Sequence, residues 1–427
     1  MDRLVIHGGR NLAGAVSVQG NKNEALPCLA ACLLSPEPVI LRNVPRINDV
    51  LEMMNILKSL GASVQQLADN DFEICCADIH TAAPDADLCR RLRAAILLAG
   101  PLITRFTKVI LPPPGGDVIG RRRLDDHFSA FKSLGVQVGE ESRRYAFERT
   151  ELVGADIFLE EQSVTATENA IMAAVTAKGK TRLQNAACEP HVVGLCRMLN
   201  AMGARISGAG THILEIEGVE RLGGAEHTIG PDLLEIGGYI VLGAITGSEL
   251  TLHGVNSEEL RVIRSKYRRL GIDFEVRGND LVIPARQTLR IEPDFSGDVP
   301  KIDDGPWPAL PTDLMSILIV AATQATGTAL FFEKMYDGRM FFVDHLIAMG
   351  ARIVLCDPHR VVVVGPAQLY GTQLTSPDIR AGMALVLAAL CAKGESVIYN
   401  IRQIDRGYED LEGKLQSLGA NVRRLSK

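Results

Sequence analysis

The sequence predicts an α/β protein in which one supersecondary unit is repeated six times, three copies to each of two domains. Two observations carry this. First, the string Leu-Gly-Ala or a close variant recurs as Leu60-Gly61-Ala62, Leu134-Gly135-Val136, Met202-Gly203-Ala204, Leu270-Gly271-Ile272, Met349-Gly350-Ala351 and Leu418-Gly419-Ala420. Successive glycines stand 74, 68, 68, 79 and 69 residues apart. A fixed period of that length marks a duplicated folding unit rather than a short solenoid repeat. Second, each copy reads in the same order: helix, strand, helix, strand.

The opening helix of each unit is an Ala/Leu-rich stretch: 24–34, 93–106, 167–178, 232–246, 313–325 and 380–393. A small polar or Gly-containing turn follows, then a β-branched strand such as Val39-Ile40-Leu41, Thr181-Arg182-Leu183 or Val397-Ile398-Tyr399. A second, amphipathic helix runs into the Leu-Gly-Ala, whose glycine suits a C′ position with positive φ. Alternating segments such as Arg352-Ile353-Val354-Leu355 then return as strands. The first strand, 3–6 with 15–18, has no unit in front of it and is expected to join the last unit. The Gly/Pro-rich stretch 223–231 is the expected crossing between domains. The division is therefore 21–230, with a loop at about 111–123, and 1–20 plus 231–427.

Composition narrows the function classes. The chain has 427 residues, 47% hydrophobic and 22% charged, which is ample for two cores. A net charge of −6 argues against a nucleic-acid partner, because phosphate binding usually leaves a basic surface. The longest apolar runs are too short to cross a bilayer. Met1-Asp2-Arg3 leads straight into a strand without a targeting segment, and nine cysteines without metal-ligand spacing fit a reducing cytoplasm. The expectation is a cytoplasmic protein, monomeric or weakly homo-oligomeric, with no metal, organic cofactor, membrane or nucleic acid. Cys28, Cys32, Cys75 and Cys76 read as core.

Charged residues at helix starts point to a site. The first helices open at Lys22-Asn23, Arg93, Thr167-Glu168, Asp232, Asp313 and Arg380. Capping alone explains Asn23, Thr167, Asp232 and Asp313. It does not explain Lys22, Arg93 and Arg380, since cations at a helix N-terminus oppose the macrodipole unless an anion is shared there. Arg122, Arg339 and Arg406 stand 13, 11 and 13 residues before their glycines, again near helix starts. If the units pack around pseudo-threefold axes, such ends cluster, and two facing clusters make a cleft with Asp313 and Asp117 among the cations. That many guanidinium forks suits a substrate bearing phosphate and carboxylate. The run from Leu111 through Gly115, Gly116, Asp117 and Gly120 to Arg123 is either a solvated surface turn or a mobile lid.

In these residues the chain resembles the UDP-N-acetylglucosamine enolpyruvyl transferases. The resemblance runs from the first strand to Leu425. It is carried by Gly20-Asn21-Lys22-Asn23-Glu24-Ala25-Leu26-Pro27, Leu92-Arg93-Ala94, the glycine-rich loop to His127, Ser163-Val164-Thr165-Ala166-Thr167, Pro311-Thr312-Asp313, Asp378-Ile379-Arg380 and Ile404-Asp405-Arg406-Gly407-Tyr408. It implies an inside-out α/β barrel, with sheets inside and helices parallel. It also implies transfer of the enolpyruvyl group of phosphoenolpyruvate to the 3-hydroxyl of UDP-N-acetylglucosamine, the first committed step of peptidoglycan precursor synthesis. By the same resemblance Lys22, Asn23, Arg122, Arg380 and Arg406 hold phosphoenolpyruvate. Asn23, Arg93, Arg122, Asp125, His127, Ser163, Val164, Asp313 and Arg339 hold the nucleotide sugar. Asp117, Lys22, Asp313 and Arg406 are catalytic, with Asp313 as the proton-abstracting base.

The departures are specific. Asp117 stands where most of the family has a cysteine, Glu161 near a lysine position, Arg123 at a proline, and His191 and Gly194 at acidic positions. Three rivals follow. The shikimate-pathway enolpyruvyl transferases share the fold but read Gly-Ser-Lys-Ser where this chain has Gly20-Asn21-Lys22-Asn23. A non-catalytic nucleotide-sugar-binding paralogue would not need Lys22, Arg122, Asp313 and Arg406 together. An RNA 3′-phosphate cyclase on a related repeat is disfavoured by the acidic charge.

Overall fold

A computed structural model describes residues 2–116 and 119–426. The chain forms two compact units. The N-terminal unit comprises Gly20–Asp117 and Arg122–Gly230; the C-terminal unit comprises Met1–Gln19, Val118–Arg121 and Pro231–Lys427. Each has its own hydrophobic core.

Among the described residues there are six sheets, three to a unit. Five share one arrangement: an edge strand parallel to the second, then two antiparallel steps to the far edge. In the C-terminal unit, for instance, Lys301–Asp303 runs parallel to Gly327–Phe332, which pairs antiparallel with Arg360–Gly365 and through it Arg352–Asp357. The sixth sheet, Lys108–Leu111, Arg144–Arg149 and Val136–Glu141, lacks the parallel edge.

Three strands pair with distant parts of the sequence. Arg3–His7 lies between Glu395–Tyr399 and Asn421–Leu425, so the N-terminal strand joins the last unit as expected. Ala13–Ser17, expected to go with it, is instead the parallel edge for Glu249–His253 in the fourth unit. Conversely, Ala225–Thr228 is the parallel edge for Val39–Arg42. The Gly/Pro-rich stretch is therefore a sheet strand over much of its length, and the chain passes from one unit to the other only after Gly230.

The helices, not the sheets, are innermost in each unit, contrary to the layering expected from the family resemblance. In the C-terminal unit every residue from Ile379 to Leu390 is buried, as is every residue from Leu233 to Ala244. Strands instead alternate, as in Arg360–Gly365, so one face of each sheet is turned away from the core. The composition explains this: helices rich in Ala, Gly and Leu bury apolar surface all round, whereas a strand with period-two polarity can bury only one face.

All six repeat glycines have positive φ, from 77° at Gly271 to 111° at Gly61. Gly61 N–H donates to Lys58 O and Ala62 N–H to Leu57 O, a Schellman closure that recurs at Gly203, Gly271, Gly350 and Gly419. Each second helix thus stops at a fixed place and turns the chain into the returning strand.

The helix caps differ from expectation in three units. Asn21, not Asn23, caps Lys22–Ala31 by accepting from Asn23 N–H at 2.8 Å. Ser163, not Thr167, caps Val164–Ala174. Asp313 lies in a short 3-10 turn, Thr312–Leu314, and caps nothing. Asp232 does cap Leu233–Thr246. Thr167 is the fourth residue of Val164–Ala174, where its buried hydroxyl accepts from Ala187 N–H at 2.9 Å. No helix among the described residues is long and apolar enough to cross a membrane.

Candidate active site

In the N-terminal unit, Lys22 is the first residue of its helix and is buried. Its Nζ lies 2.6 Å from Asp49 Oδ2, with side-chain exposures of 9% and 7%. The anion that a cation at a helix N-terminus demands is thus already supplied by the protein, from the first turn of Asn48–Leu60. Asn23 is half-buried on the same turn. Arg93 opens a 3-10 segment, Arg93–Leu98, and its Nη2 donates to the Arg122 carbonyl at 2.9 Å. This bond ties the chain after the glycine-rich loop to the second unit's first helix.

Within that loop, Asp117 lies outside the described residues. Residues 119–121 belong to the C-terminal unit, where Ile119 is buried and its carbonyl accepts from Gly338 N–H at 3.0 Å.

Beyond the loop, Arg123 Nε donates to Asp125 Oδ2 at 2.9 Å and faces Glu161 at 3.6 Å. Asp125 and Glu161 are exposed. Asp126, which is buried, accepts from Glu160 N–H at 2.7 Å and Glu161 N–H at 3.1 Å, fixing the turn that leads to Ser163. Val164 follows as the first residue of an 11-residue helix, so its N-terminal amides form a ready anion site.

His127 is 1% exposed and both ring nitrogens are engaged. Asn169 Nδ2 can only donate, so His127 Nδ1 accepts from it at 2.9 Å, and Nε2–H is left to donate to Thr165 Oγ1 at 3.1 Å. Burial, and then Arg93, push its pKa down to about 3. His127 is therefore neutral and orients Thr165 rather than presenting a charge.

In the C-terminal unit, Asp313 is gripped from both sides. Arg339 Nη2 donates to Oδ1, and Arg380 Nε donates to Oδ2 at 3.0 Å. Burial alone would raise the carboxyl's pKa, but the attraction of Arg339, then of Arg380, with their hydrogen bonds, outweighs it and holds it well below the usual carboxylate range. Asp313 retains 22% side-chain exposure against 11% for Arg339 and 6% for Arg380. An ionised carboxylate with one accessible edge is the result.

Arg380 owes its place to Asp378, which caps Ile379–Cys391 by accepting from Arg380 N–H at 2.8 Å and Ala381 N–H at 2.9 Å. Its guanidinium also reaches the Tyr408 hydroxyl at 3.4 Å and lies 5.8 Å from that ring's centroid. Arg339 lies over Tyr336 at 5.1 Å. Its Nε is buried with no acceptor among the described residues.

Arg406 ends the 3-10 turn Ile401–Arg406, with Nη1 donating to Gln403 Oε1 at 2.9 Å. Asp405 is held by Arg424 at 2.6 and 3.1 Å. Gln19 pins the following residues, donating to Gly407 O at 2.9 Å and accepting from Glu409 N–H at 2.8 Å.

Asp49 and Gln19 were not singled out in the sequence, and Asp378 stood there only as part of a motif, with no role of its own. Asp378 and Asp49 carried a signal, an acidic group at a helix start; Gln19 carried none. One mixed cluster also forms: ligand atoms of Glu24, Cys28 and His227 lie within 4.8 Å of one another. Glu24 is already engaged by His227 Nε2 at 2.8 Å and Gly230 N–H at 3.2 Å, an internal tie between the first helix and the exchanged strand.

Carboxylate between arginines in one unit, buried lysine and helix N-terminus in the other, on repeated α/β units, are the equipment of a group-transfer enzyme for anionic substrates. The family model described as EPSP synthase (3-phosphoshikimate 1-carboxyvinyltransferase) matches residues 6–415. A UDP-N-acetylglucosamine 1-carboxyvinyltransferase of Treponema denticola is 51% identical over 427 residues, covering 100% of both chains. One of Bradyrhizobium diazoefficiens is 53% identical, covering 99% of this chain and 98% of its own. The crystal structure of the enolpyruvyl transferase NikO from Streptomyces tendae shares the fold, with a TM-score of 0.88 at 24% identity, covering 100% and 99% of the two chains. The chain belongs to the EPSP synthase family of enolpyruvyl transferases, in its UDP-N-acetylglucosamine branch.

Proposed function

We propose that the protein transfers the enolpyruvyl group of phosphoenolpyruvate to the 3-hydroxyl of UDP-N-acetylglucosamine and releases phosphate, opening peptidoglycan precursor synthesis. The observation that carries the reading is the Asp313 carboxylate held between Arg339 and Arg380, with one edge open, in a chain whose full-length relatives at about half identity bear that activity in their names.

The reaction is an addition followed by an elimination. The sugar hydroxyl adds to C2 of phosphoenolpyruvate as C3 gains a proton. The phosphate ketal then collapses, C3 loses a proton, and the C2–O bond to phosphate breaks. Asp313 accepts the hydroxyl proton. Clamped by two arginines it is a poor base, so its proton affinity must rise when substrate binds. Arg380, assigned to phosphoenolpyruvate, supplies the means: once its charge is taken up by the substrate dianion, its hold on Asp313 weakens. The orphan Nε–H of Arg339 is a donor that a substrate oxygen would satisfy, and an unmet buried donor costs about 1–3 kcal/mol.

Lys22, Asn23, Arg122 and Arg406 complete the grip on phosphoenolpyruvate through both steps. Asp117 serves as the acid. Ser163 and Val164, at their helix N-terminus, take the nucleotide end with Asp125 and Arg93, and His127 supports them through Thr165. The chemistry needs no metal or cofactor, and its substrates place it in the cytoplasm, with the protein monomeric or weakly associated. We further propose residues 21–230 and 1–20 plus 231–427 as the domains. Three units in each form an inside-out α/β barrel in which the helices, not the sheets, are inside, a reading supported by the all-round burial of 233–244 and 379–390 and by the shared strand order of five sheets.

Phosphate release with phosphoenolpyruvate and either UDP-N-acetylglucosamine or shikimate 3-phosphate tests the reading. Release with the nucleotide sugar alone is expected. Release with shikimate 3-phosphate alone, or with neither, would overturn it.

A further inference from the structure

Beside Asp313 lies a buried acidic pair that the reaction does not use directly. Asp304 follows the strand Lys301–Asp303, and Glu333 follows its parallel neighbour Gly327–Phe332. Both are 0% exposed. Glu333 Oε2 accepts from the Thr312 hydroxyl at 2.7 Å, and Thr312 is the residue before Asp313. Glu333 Oε1 accepts from Met335 N–H at 2.9 Å and Tyr336 N–H at 3.0 Å, and Asp304 Oδ1 accepts from Lys334 N–H at 2.7 Å. The segment 334–336 leads directly to Arg339. The two carboxyls therefore grip both chain segments that bring Asp313 and Arg339 together.

We infer that Asp304 and Glu333 are positioning residues for the proton transfer assigned to Asp313, acting as a clamp that is closed only while the pair holds one proton. The inference rests on that assignment.

The geometry requires the proton. Asp304 Oδ2 is buried and receives no N–H or O–H among the described residues. The group facing Asp304 is the Glu333 carboxyl. Two bare carboxylates cannot share such a place, whereas a carboxyl and a carboxylate joined by one proton satisfy each other. Burial, and then Asp304, raise Glu333 to about 8. The surrounding charges do not cancel the pair. Arg339 draws Glu333 down only in part and is already committed to Asp313. Lys334 and Lys301 are spent on Asp303 at 3.1 and 3.3 Å. His359 Nδ1–H donates to the Glu333 carbonyl at 2.8 Å, and its Nε2 lies 3.3 Å from Asp337, so the ring faces neither carboxyl of the pair.

Loss of the shared proton sets two buried negative charges against each other and loosens 334–336 and Thr312 together. Asp304→Asn puts a permanent N–H where that proton sits and keeps an oxygen for Lys334.

The test compares turnover against pH for the native enzyme and Asp304→Asn, each scaled to its own rate at pH 7. The native rate is expected to fall about tenfold by pH 9, as one proton is lost around pH 8. The variant's alkaline limb should move up by at least about one unit. Superimposed profiles would overturn the inference, since a merely structural role lowers the rate equally at every pH.

Thermal stability against pH gives a second readout that does not depend on Asp313. A carboxyl raised in the folded state contributes stability that is complete below its unfolded value of 4.5 and is lost as pH rises through about 8. The native protein should lose stability across that window and Asp304→Asn should lose less; equal slopes would count against the pair. If Asp304→Asn does not fold, Glu333→Gln enters both measurements. Asp313→Asn separates the two ideas: full turnover in that variant would sink the base assignment, while the stability slope would still report the shared proton.

Discussion

Replacing Lys22 by alanine should damage two properties, and they can be measured apart. The structure puts Lys22 Nζ 2.6 Å from Asp49 Oδ2 with both side chains under a tenth exposed. Removing the lysine takes a cation at 2.6 Å away from a buried carboxylate, and breaking a buried pair from one side costs about 3–5 kcal/mol. Domains of this size lose roughly 2–4 °C of Tm per kcal/mol, so a drop of roughly 6 to 20 °C is expected. That leaves the protein folded at assay temperature, given typical stabilities of about 5–15 kcal/mol. The second loss is in the reaction. Withdrawing one fixed cation from a dianion should cost what removal of an oxyanion donor costs, about 100- to 1,000-fold in turnover. The assay is phosphate release at a temperature where circular dichroism shows the variant folded. Lys22→Ala with Asp49→Asn should recover most of the stability and none of the rate. If the single variant keeps more than about a tenth of the native rate, or the double variant regains it, Lys22 is a structural partner of Asp49 and the phosphate is held elsewhere.

Two further outcomes are expected. Gly203→Ala should cost about 1–2 kcal/mol in a urea titration, from left-handed backbone alone, because nothing lies within 4 Å of the added methyl; a neutral result would mean that the repeat glycine is not required for its φ of 104°. The carboxylate of Asp117 is a far weaker nucleophile than a thiolate, so the native enzyme should gain no mass from the epoxide fosfomycin. Asp117→Cys should gain it, and an adduct on the native protein would show that the loop has been aligned wrongly.

The repeat was legible because it rests on local chemistry. A glycine after an amphipathic helix demands positive φ wherever the chain goes next, and all six glycines meet that demand. The strand Arg3–His7 was assignable by elimination, since no unit preceded it. The cations were legible too, as charges placed against a helix dipole. What resolved that conflict was not: Asp49 and Asp313 stand 27 and 67 residues from the cations they neutralise, and nothing local announces such a pairing. The same holds for Gln19, which reaches Gly407 and Glu409 across almost the whole chain. The caps erred for a related reason. Asn21, Asn23, Ser163 and Thr167 all have capping side chains, and which one is used depends on where packing starts the helix. The inward position of the helices was misjudged because the layering was taken from a resemblance, although the all-round apolar character of 233–244 and 379–390 already argued for it.

The placement of Arg3–His7 in the middle of its sheet has a consequence for how the protein is made. About 390 residues are synthesised between this strand and its first partner, which at about 5–20 residues per second is a wait of roughly 20 to 80 s. Through that interval Leu4, Val5 and Ile6, all destined for burial, stay on an unpaired strand that any other edge can capture. The Gly20–Gly230 segment closes earlier, when Ala225–Thr228 meets Val39–Arg42. The nascent chain thus carries a finished body between two waiting halves of another. Deleting residues 3–7 would remove the centre of a sheet rather than trim a terminus, and a fusion placed there would burden the last step of folding.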